Sequence, residues 1–452
     1  MRSASANTFP KQTFYERLFQ PVSNSPLIAF RMLFGFLMAY HFLRSIFNGA
    51  IYENYIKPPF TFNYIGFDFL QPLPGNGMYF YAGIMVVLAI LIMLGAWYRF
   101  AMITFTVMWT AMYLMQKADY NNHYYLMVLL CLLMSFMPAH RYFSVDSKRN
   151  AVKITNTCPQ FYLWIFMLQI GIVYFFAATS KITSDWFSGK YIEIQFSGFT
   201  GRFLTGGLYA QRWFQLCICY GGFLFDLLII PLLLWKPAKT FAFFLACLFH
   251  LFNSYTFSIG IFPYLSIALN LFFLDPGIVH RFFFSRQKPV IEDNVQMKHH
   301  SIKSKLLIAG FSIYLIFQLL VPLRSFFYHG NVFWTEEGYR LSWKMMLRTK
   351  SGKVHFKVID PVSNKTWIAD PAKLFIPKQV MWLAISPDII WQYAQRLKKE
   401  FAEKGFPNVQ VYAIGSVSLN RSKPMPLVDS SINLAGVKWE AFRHSKWITE
   451  HE

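Results

Sequence analysis

An all-α polytopic membrane helical bundle of about nine transmembrane helices, followed by a C-terminal soluble α+β, strand-rich region, is the fold class this sequence predicts. Three observations carry it: an apolar composition with little charge, a series of apolar runs near 20 residues, and a change to alternating patterns after residue 330. Of the 452 residues, 55% are hydrophobic, 19% are aromatic and only 14% are charged. Soluble domains carry about a quarter charged residues, and this chain has too few to cover a soluble surface. Disorder and coiled coil are excluded as the main class. The charge that exists is lopsided, with 43 Lys+Arg against 22 Asp+Glu and a net +21. In a nucleic-acid binder that excess would form polar stripes. Here it lies between apolar runs, as the positive-inside rule describes, so the expected partner is the lipid bilayer and not nucleic acid.

A helix needs about 20 apolar residues to cross a bilayer. The candidate spans are 26–47, 77–97, 100–116, 121–137, 160–179, 213–235, 240–256, 259–274 and 306–322. The seventh and eighth are joined so tightly that one kinked or re-entrant element is an alternative. With the N-terminus cytoplasmic, the inside segments hold sixteen Lys and Arg and the outside loops six. That bias sets the N-terminus inside, and an odd span count sets the C-terminus outside. No secretory signal is read at the N-terminus, because the first apolar run begins only near residue 26. Cys131, Cys158, Cys217, Cys219 and Cys247 show no metal spacing and read as small core residues.

After residue 330, KVHFKVID (353–360) and VQVYAIGSVSL (409–419) alternate like half-buried strands. Between them PDIIWQYAQRLKKEFAEKG (387–405) has helical spacing and a stopping Gly405. The expected organisation is a transmembrane catalytic domain over 1–325 and an extracytoplasmic α+β domain over 331–452.

Ionisable groups near membrane depth are costly and mark candidate sites. Lys181, closing the fifth run in YFFAATSKITSDW (174–186), is either a snorkelling helix-end lysine or a desolvated amine able to act as a base. Asn121, Asn122 and His123 open the fourth run as an interfacial belt with a capping Asn, or as a site. His250 and Asn253 lie near the outer end of the seventh run, where a satisfied buried histidine is the plain alternative. Asp226 and Arg31 are read as structural, paired with each other or with carbonyls. With the N-terminus inside, the start of run four, the ends of runs five and seven and the segment WTEEGYRLSWKMM (334–346) meet at the outer leaflet. A pore would spread polar groups through its depth. No P-loop, nucleophile elbow, HExxH or dinucleotide-binding pattern is present, and no metal site is expected. Base chemistry on a membrane-soluble substrate remains.

The segments NNHYYL (121–126), SVD (144–146), VYFFAATSKITSDW (173–186), FHLFNSYTFSIGIFPY (249–264), WTEEGYRLSWKMM (334–346) and KWEAFRHSKW (438–447) occur in order along the chain. Together they resemble the vitamin K-dependent gamma-glutamyl carboxylases, whose membrane part is also called the horizontally transferred transmembrane domain. The resemblance implies oxidation of vitamin K hydroquinone by O₂ to the 2,3-epoxide, coupled to addition of CO₂ to a protein glutamate. It implies Lys181 as the base that ionises the quinol, His250 on the carboxylation side, and Asn122 and His123 as catalytic residues in the quinol pocket. Asn121, Trp186 and Asn253 are further quinol-binding residues by the same implication, and Trp334, Trp343 and Arg443 bind the glutamate-containing peptide or protein. The C-terminal region lacks the cysteine that joins the two parts of the animal enzymes, and the chain stops after KWITEHE (446–452). It therefore looks like a compact bacterial inner-membrane member. The alternatives are a quinol-epoxidising oxidase without peptide carboxylation, and a non-catalytic binding or assembly protein on the same scaffold.

Overall fold

Apolar runs become helices because backbone among lipid tails must satisfy its own hydrogen bonds. The structure, a computed structural model, describes residues 13–199, 201, 205–257, 259–284 and 301–451. Arg2, Lys11, Arg202, Arg286, Lys288 and Lys298, which entered the charge count, lie outside them. The expected runs appear as α1 (Ser25–Phe47), α2 (Gly77–Leu94), α3 (Tyr98–Met115), α4 (Asn122–Phe136), α5 (Phe161–Ser180), α6 (Arg212–Leu234), α7 (Lys239–Phe257), α8 (Phe262–Asn270) and α9 (Ile302–Leu323). Among the described residues six helices are long and apolar enough to cross a membrane: α1, α2, α5, α6, α7 and Ser304–Phe326, which takes in most of α9. α4 has only 15 residues and α8 only 9, continuing as a single tight turn over Leu271–Phe273. At 1.5 Å per residue both fall short of a hydrocarbon core about 30 Å thick. The chain is a multi-pass membrane protein, and three of the nine expected spans are shorter or less apolar helices packed among the six.

Close packing of the bundle has local causes. A methyl group at Gly35 would collide with the backbone of Met93, so α1 and α2 touch main chain to main chain. Gly95 ends α2 in the left-handed region at φ 65°. Immediately after it, the Asp146 carboxylate accepts from the backbone N–H groups of Trp97 (2.8 Å) and Tyr98 (3.0 Å) and caps α3. The SVD segment is thus a cap in this fold. Arg31 donates to the carbonyls of Ala139 (3.2 Å) and Phe143 (2.7 Å). It pairs with carbonyls as one of the two sequence alternatives holds, and the other, a pair with Asp226, is corrected below.

Two short strands, β1 (Pro21–Ser23) and β2 (Thr157–Pro159), pair antiparallel. The C-terminal region contains β3 (Lys350–Ile359), β4 (Thr366–Ala369) and β5 (Gln410–Leu419) in an antiparallel sheet of order β4-β3-β5. Phe356 lies opposite Ala413 and Val358 opposite Val411, all buried. α10 (Pro377–Ile385) and α11 (Pro387–Glu403) cover the sheet. α11 buries Ile389, Ile390, Tyr393, Ala394, Leu397 and Phe401 at helical spacing, and Gly405 follows at φ 90°. These side chains, with Trp334, Trp447 and Phe62 from the loop after α1, form a second core apart from that of the bundle.

Ion pairs tie the two parts together. Asp388, at the start of α11, holds Lys117 (2.6 Å) and Arg340 (2.6 Å), and Lys378 pairs with Asp119. Burial alone would raise the Asp388 carboxyl, but the two cations outweigh it and hold the group well below the ordinary carboxylate range. The carboxylates of WTEEG are used internally. Glu336 pairs with Arg348 and Lys350, and Glu337 binds His444 (2.7 Å) and the N–H of Ser445 (2.9 Å). Cys131, Cys158 and Cys219 are buried as expected, but Cys247 is half-buried and Cys217, on α6, is exposed and borders the cavity described below.

Candidate active site

Helix α5 carries its last turn as FFAATS and ends on Lys181, whose side chain folds back along its own helix. Its Nζ donates to the Ala177 carbonyl (3.4 Å) and to the Asp226 carboxylate on α6. The pair is buried, with Lys181 10% and Asp226 8% exposed at the side chain. The Lys181 Nζ is therefore tied to a buried carboxylate, and Asp226 pairs with it and not with Arg31. A lone carboxylate and a lone cation in apolar helices need each other, since an unpaired charge there is costly. The Lys181 ammonium also stands 5.2 Å over the ring of Trp186, which is fixed by donating its indole N–H to the Cys219 carbonyl (2.9 Å).

A cavity of about 630 Å³ opens beside this pair, between α5, α6, α7 and the start of α4. His123, Lys181, Trp186, His250 and Asn253 all line it, as do Tyr174 and Asp226. The His123 ring stacks on Phe262 at 3.8 Å, and Phe225 stacks on Phe249 at 3.7 Å, so the walls are aromatic. His250 is 2% exposed. Its Nε2 shares a 2.8 Å hydrogen bond with the Tyr174 hydroxyl, and its Nδ1 has no partner among the described residues. Met345 and Met346, just after the second tryptophan of WTEEGYRLSWKMM, also line the cavity. Leu224, Leu228 and Leu248 line it and are also 44–67% exposed on the outer surface of the bundle, so it is open sideways between α6 and α7.

The other expected residues lie elsewhere. Asn121 is the N-cap of α4, accepting from the Tyr124 N–H (2.8 Å). Asn122 accepts from the Tyr120 hydroxyl (2.8 Å) and donates to the Lys344 carbonyl (3.1 Å), one residue before Met345. It holds the segment that lines the cavity and is not itself in the lining. Trp343 is buried against Tyr125 at a ring distance of 5.0 Å. Trp334 is fully buried in the second core and donates to the Thr449 carbonyl (2.8 Å). Arg443 is exposed on the C-terminal region, away from the cavity.

Sequence reasoning missed Asp226 as the partner of Lys181, and missed Tyr174 and the two methionines. For Asp226 a signal existed, since it is the single acidic residue within α6. For Tyr174, one aromatic in a run of aromatics, there was none.

The arrangement offers a buried ion pair, two histidines and a tyrosine on the wall of an otherwise apolar cavity. That combination can bind a flat aromatic ligand and handle its protons out of water. Among the described residues no group of His, Cys, Asp and Glu is arranged to hold a metal ion. Over residues 19–277 the chain matches the HTTM domain, and over 303–452 it matches the lumenal domain of vitamin K-dependent gamma-carboxylase. No solved structure matches it.

Proposed function

Since this chain belongs to the vitamin K-dependent gamma-carboxylase family, we propose that it is an integral-membrane carboxylase working on vitamin K hydroquinone at the cavity around Lys181. The observation that carries this is the meeting of the Lys181–Asp226 pair with His123 and His250 on one apolar cavity of about 630 Å³. Ligand pockets are typically about 300–1,000 Å³ and mostly apolar with a few placed polar groups. The aromatic walls suit a naphthoquinol ring, and the sideways opening suits a lipid tail.

The reduced quinone supplies the driving force, because its oxidation by O₂ to the 2,3-epoxide provides a base strong enough to remove a γ-proton from a glutamyl side chain before CO₂ adds. The residues do the rest. Lys181 stays a donor at Nζ, aimed at a ligand oxygen, while a proton taken from that oxygen rests on Asp226. The pair then goes from neutral to singly positive as the ligand becomes an anion, so the cavity as a whole stays neutral. The apolar and aromatic side chains keep water from a reactive anion. His123, stacked on Phe262, forms part of the wall against the ring. Arg443 and the surface of residues 331–452 meet the glutamate-bearing peptide. The positive-inside bias supports an extracytoplasmic position for that region, with the N-terminus in the cytoplasm.

The test is purified protein in nanodiscs with vitamin K hydroquinone, labelled bicarbonate and a short Glu peptide, with epoxide and fixed label measured separately. Both products appearing together supports the carboxylase. Epoxide without label gives the quinol-oxidase reading, and neither product overturns the proposal.

A further inference from the structure

The ends of α6 mark the level of the bilayer. Trp213 stands exposed in its opening turn and Trp235 exposed just past its last residue. At about 1.5 Å per residue the two are about 33 Å apart. That matches a hydrocarbon core about 30 Å thick with a tryptophan at each interface. The Trp213 end is also the end at which residues 331–452 sit. Arg212 donates to the Ser188 carbonyl in the segment after α5, and Asn420 donates to the Asp185 carboxylate in the same segment (2.8 Å). α9 finishes at Leu323 and passes directly into that region. Phe326 and Phe327, in the turn that follows, therefore stand at the same interface, and Phe327 is 88% exposed.

A second phenylalanine, from near the end of the chain, reaches this level. The Tyr328 hydroxyl donates to the Ala441 carbonyl (2.6 Å), which ties the neighbour of Phe327 to the neighbour of Phe442. Phe442 is also 88% exposed, yet its segment is firmly held. Glu337 accepts from the Ser445 N–H (2.9 Å) and bonds the His444 ring (2.7 Å), and Trp447 is buried in the second core. Single exposed apolar residues are ordinary. Two phenylalanines from distant parts of the chain, pinned side by side at the level of the bilayer, form a common apolar edge. The exposed charges around Phe442 are Lys438, Arg443 and Lys446 against Glu440. A positive balance suits the phosphates of anionic lipids, whereas the centre of a protein-facing patch is depleted of lysine.

We infer that Phe327 and Phe442 form a membrane foot, inserted into the leaflet next to residues 331–452, with Lys438 and Lys446 on the phosphates of anionic lipids. Glu337, which holds the foot from behind, lies in the segment that continues to Met345 and Met346 on the cavity wall. The foot thereby ties that wall to the bilayer surface. Arg443 stands at headgroup level, so the peptide proposed for it is met at the membrane. The inference goes beyond the proposed chemistry and does not depend on turnover.

The experiment attaches an environment-sensitive fluorophore to Phe442→Cys, in a Cys217→Ser background of the full chain. The protein is placed in nanodiscs of phosphatidylcholine and phosphatidylglycerol, with acyl chains brominated either near the headgroup or near the methyl end. Apolar groups bound at the interface reach about 5–10 Å into the headgroup–acyl boundary. Bromines near the headgroup should therefore quench the label, and those at the methyl end should leave it bright. Phe327→Cys should behave alike, and Val362→Cys, in the β3–β4 turn, should lose no emission with either lipid. Omitting phosphatidylglycerol should weaken the quenching at position 442. Quenching at 442 no greater than at 362 overturns the inference, and quenching confined to 327 does the same by limiting insertion to the end of α9. Quenching indifferent to phosphatidylglycerol overturns the phosphate contact. Emission at 442 that responds only to an added Glu peptide assigns the edge to a protein partner and overturns the foot.

Discussion

The Lys181–Asp226 pair allows structural and catalytic roles to be separated by one set of variants: Asp226→Leu, Lys181→Met and the double change. Both side chains are at most 10% exposed. At an effective dielectric near 20, unit charges about 4 Å apart attract by about 4 kcal/mol. Removing one partner of a buried pair typically costs about 3–5 kcal/mol, because the other charge is left unpaired. Replacing both with apolar groups of similar volume is often neutral or stabilising. Each single variant should therefore unfold at clearly lower temperature in nanodiscs, and the double variant should recover to near the wild type. Epoxide formation should follow a different pattern. All three variants should be inactive, since each lacks the Lys181 donor or the Asp226 proton acceptor and the double variant lacks both. Thermal unfolding and epoxide formation on the four proteins make the assay. Additive losses in stability would refute the buried-pair energetics. Recovery of epoxidation in the double variant would refute a catalytic role for the pair.

Three further outcomes follow from the same geometry. Asn122→Ala should raise the KM for the quinol several-fold while stability changes by about 1 kcal/mol, since it frees the Lys344 carbonyl next to Met345; an unchanged KM would count against the cavity-lining role of that segment. The Asp388 carboxyl is held low in the folded protein, so its stabilisation is complete above the ordinary value near 3.8 and is lost as pH falls below it. Asp388→Asn should therefore be less stable at pH 7 and show a flatter acid-unfolding curve, checked by unfolding from pH 7 down to about 2. Val362 is 80% exposed, so Val362→Cys in a Cys217→Ser background should react with a membrane-impermeant maleimide in intact cells; labelling only after lysis would place residues 331–452 in the cytoplasm.

Features that depend on one-dimensional pattern were legible in the sequence. Apolar run length located helices α1 to α9 among the described residues, and alternation located β3 and β5 to within three residues at each end. What was not legible depends on which surfaces meet. α4 and α8 carry apolar runs like the others, but run composition does not reveal that they stop after 15 and 9 residues. Asn121 and Asn122 are identical in type and adjacent in sequence, yet one caps a helix and the other ties α4 to a segment 222 positions away. Asp226 had two buried cations as possible partners, Arg31 and Lys181. The choice between them is made by Arg31 finding the carbonyls of Ala139 and Phe143 in the loop after α4. Trp334 and Trp343, nine residues apart in one segment, end up in different hydrophobic cores.

The same contacts explain how the cavity in the bundle is joined to the region beyond it. Asp388 on α11 holds Arg340; the N–H of Leu341 donates to the Tyr120 hydroxyl (2.8 Å); Tyr120 donates to Asn122; and Asn122 donates to the Lys344 carbonyl beside Met345 and Met346. Every link is a hydrogen bond or ion pair among buried or half-buried groups, so none is loosened by exchange with water. Residues 340–346 are thus fixed at one end to the helix that covers the sheet and at the other to the opening turn of α4, where His123 stands. The segment includes Leu341, Trp343 and Met346 at φ 54–65°, a backbone form that non-glycine residues hold only where surrounding contacts impose it. Residues 331–452 therefore contribute to the cavity by clamping this strained segment over it. A fault at Asp388, far from the ligand, should accordingly appear in quinol binding as well as in acid stability.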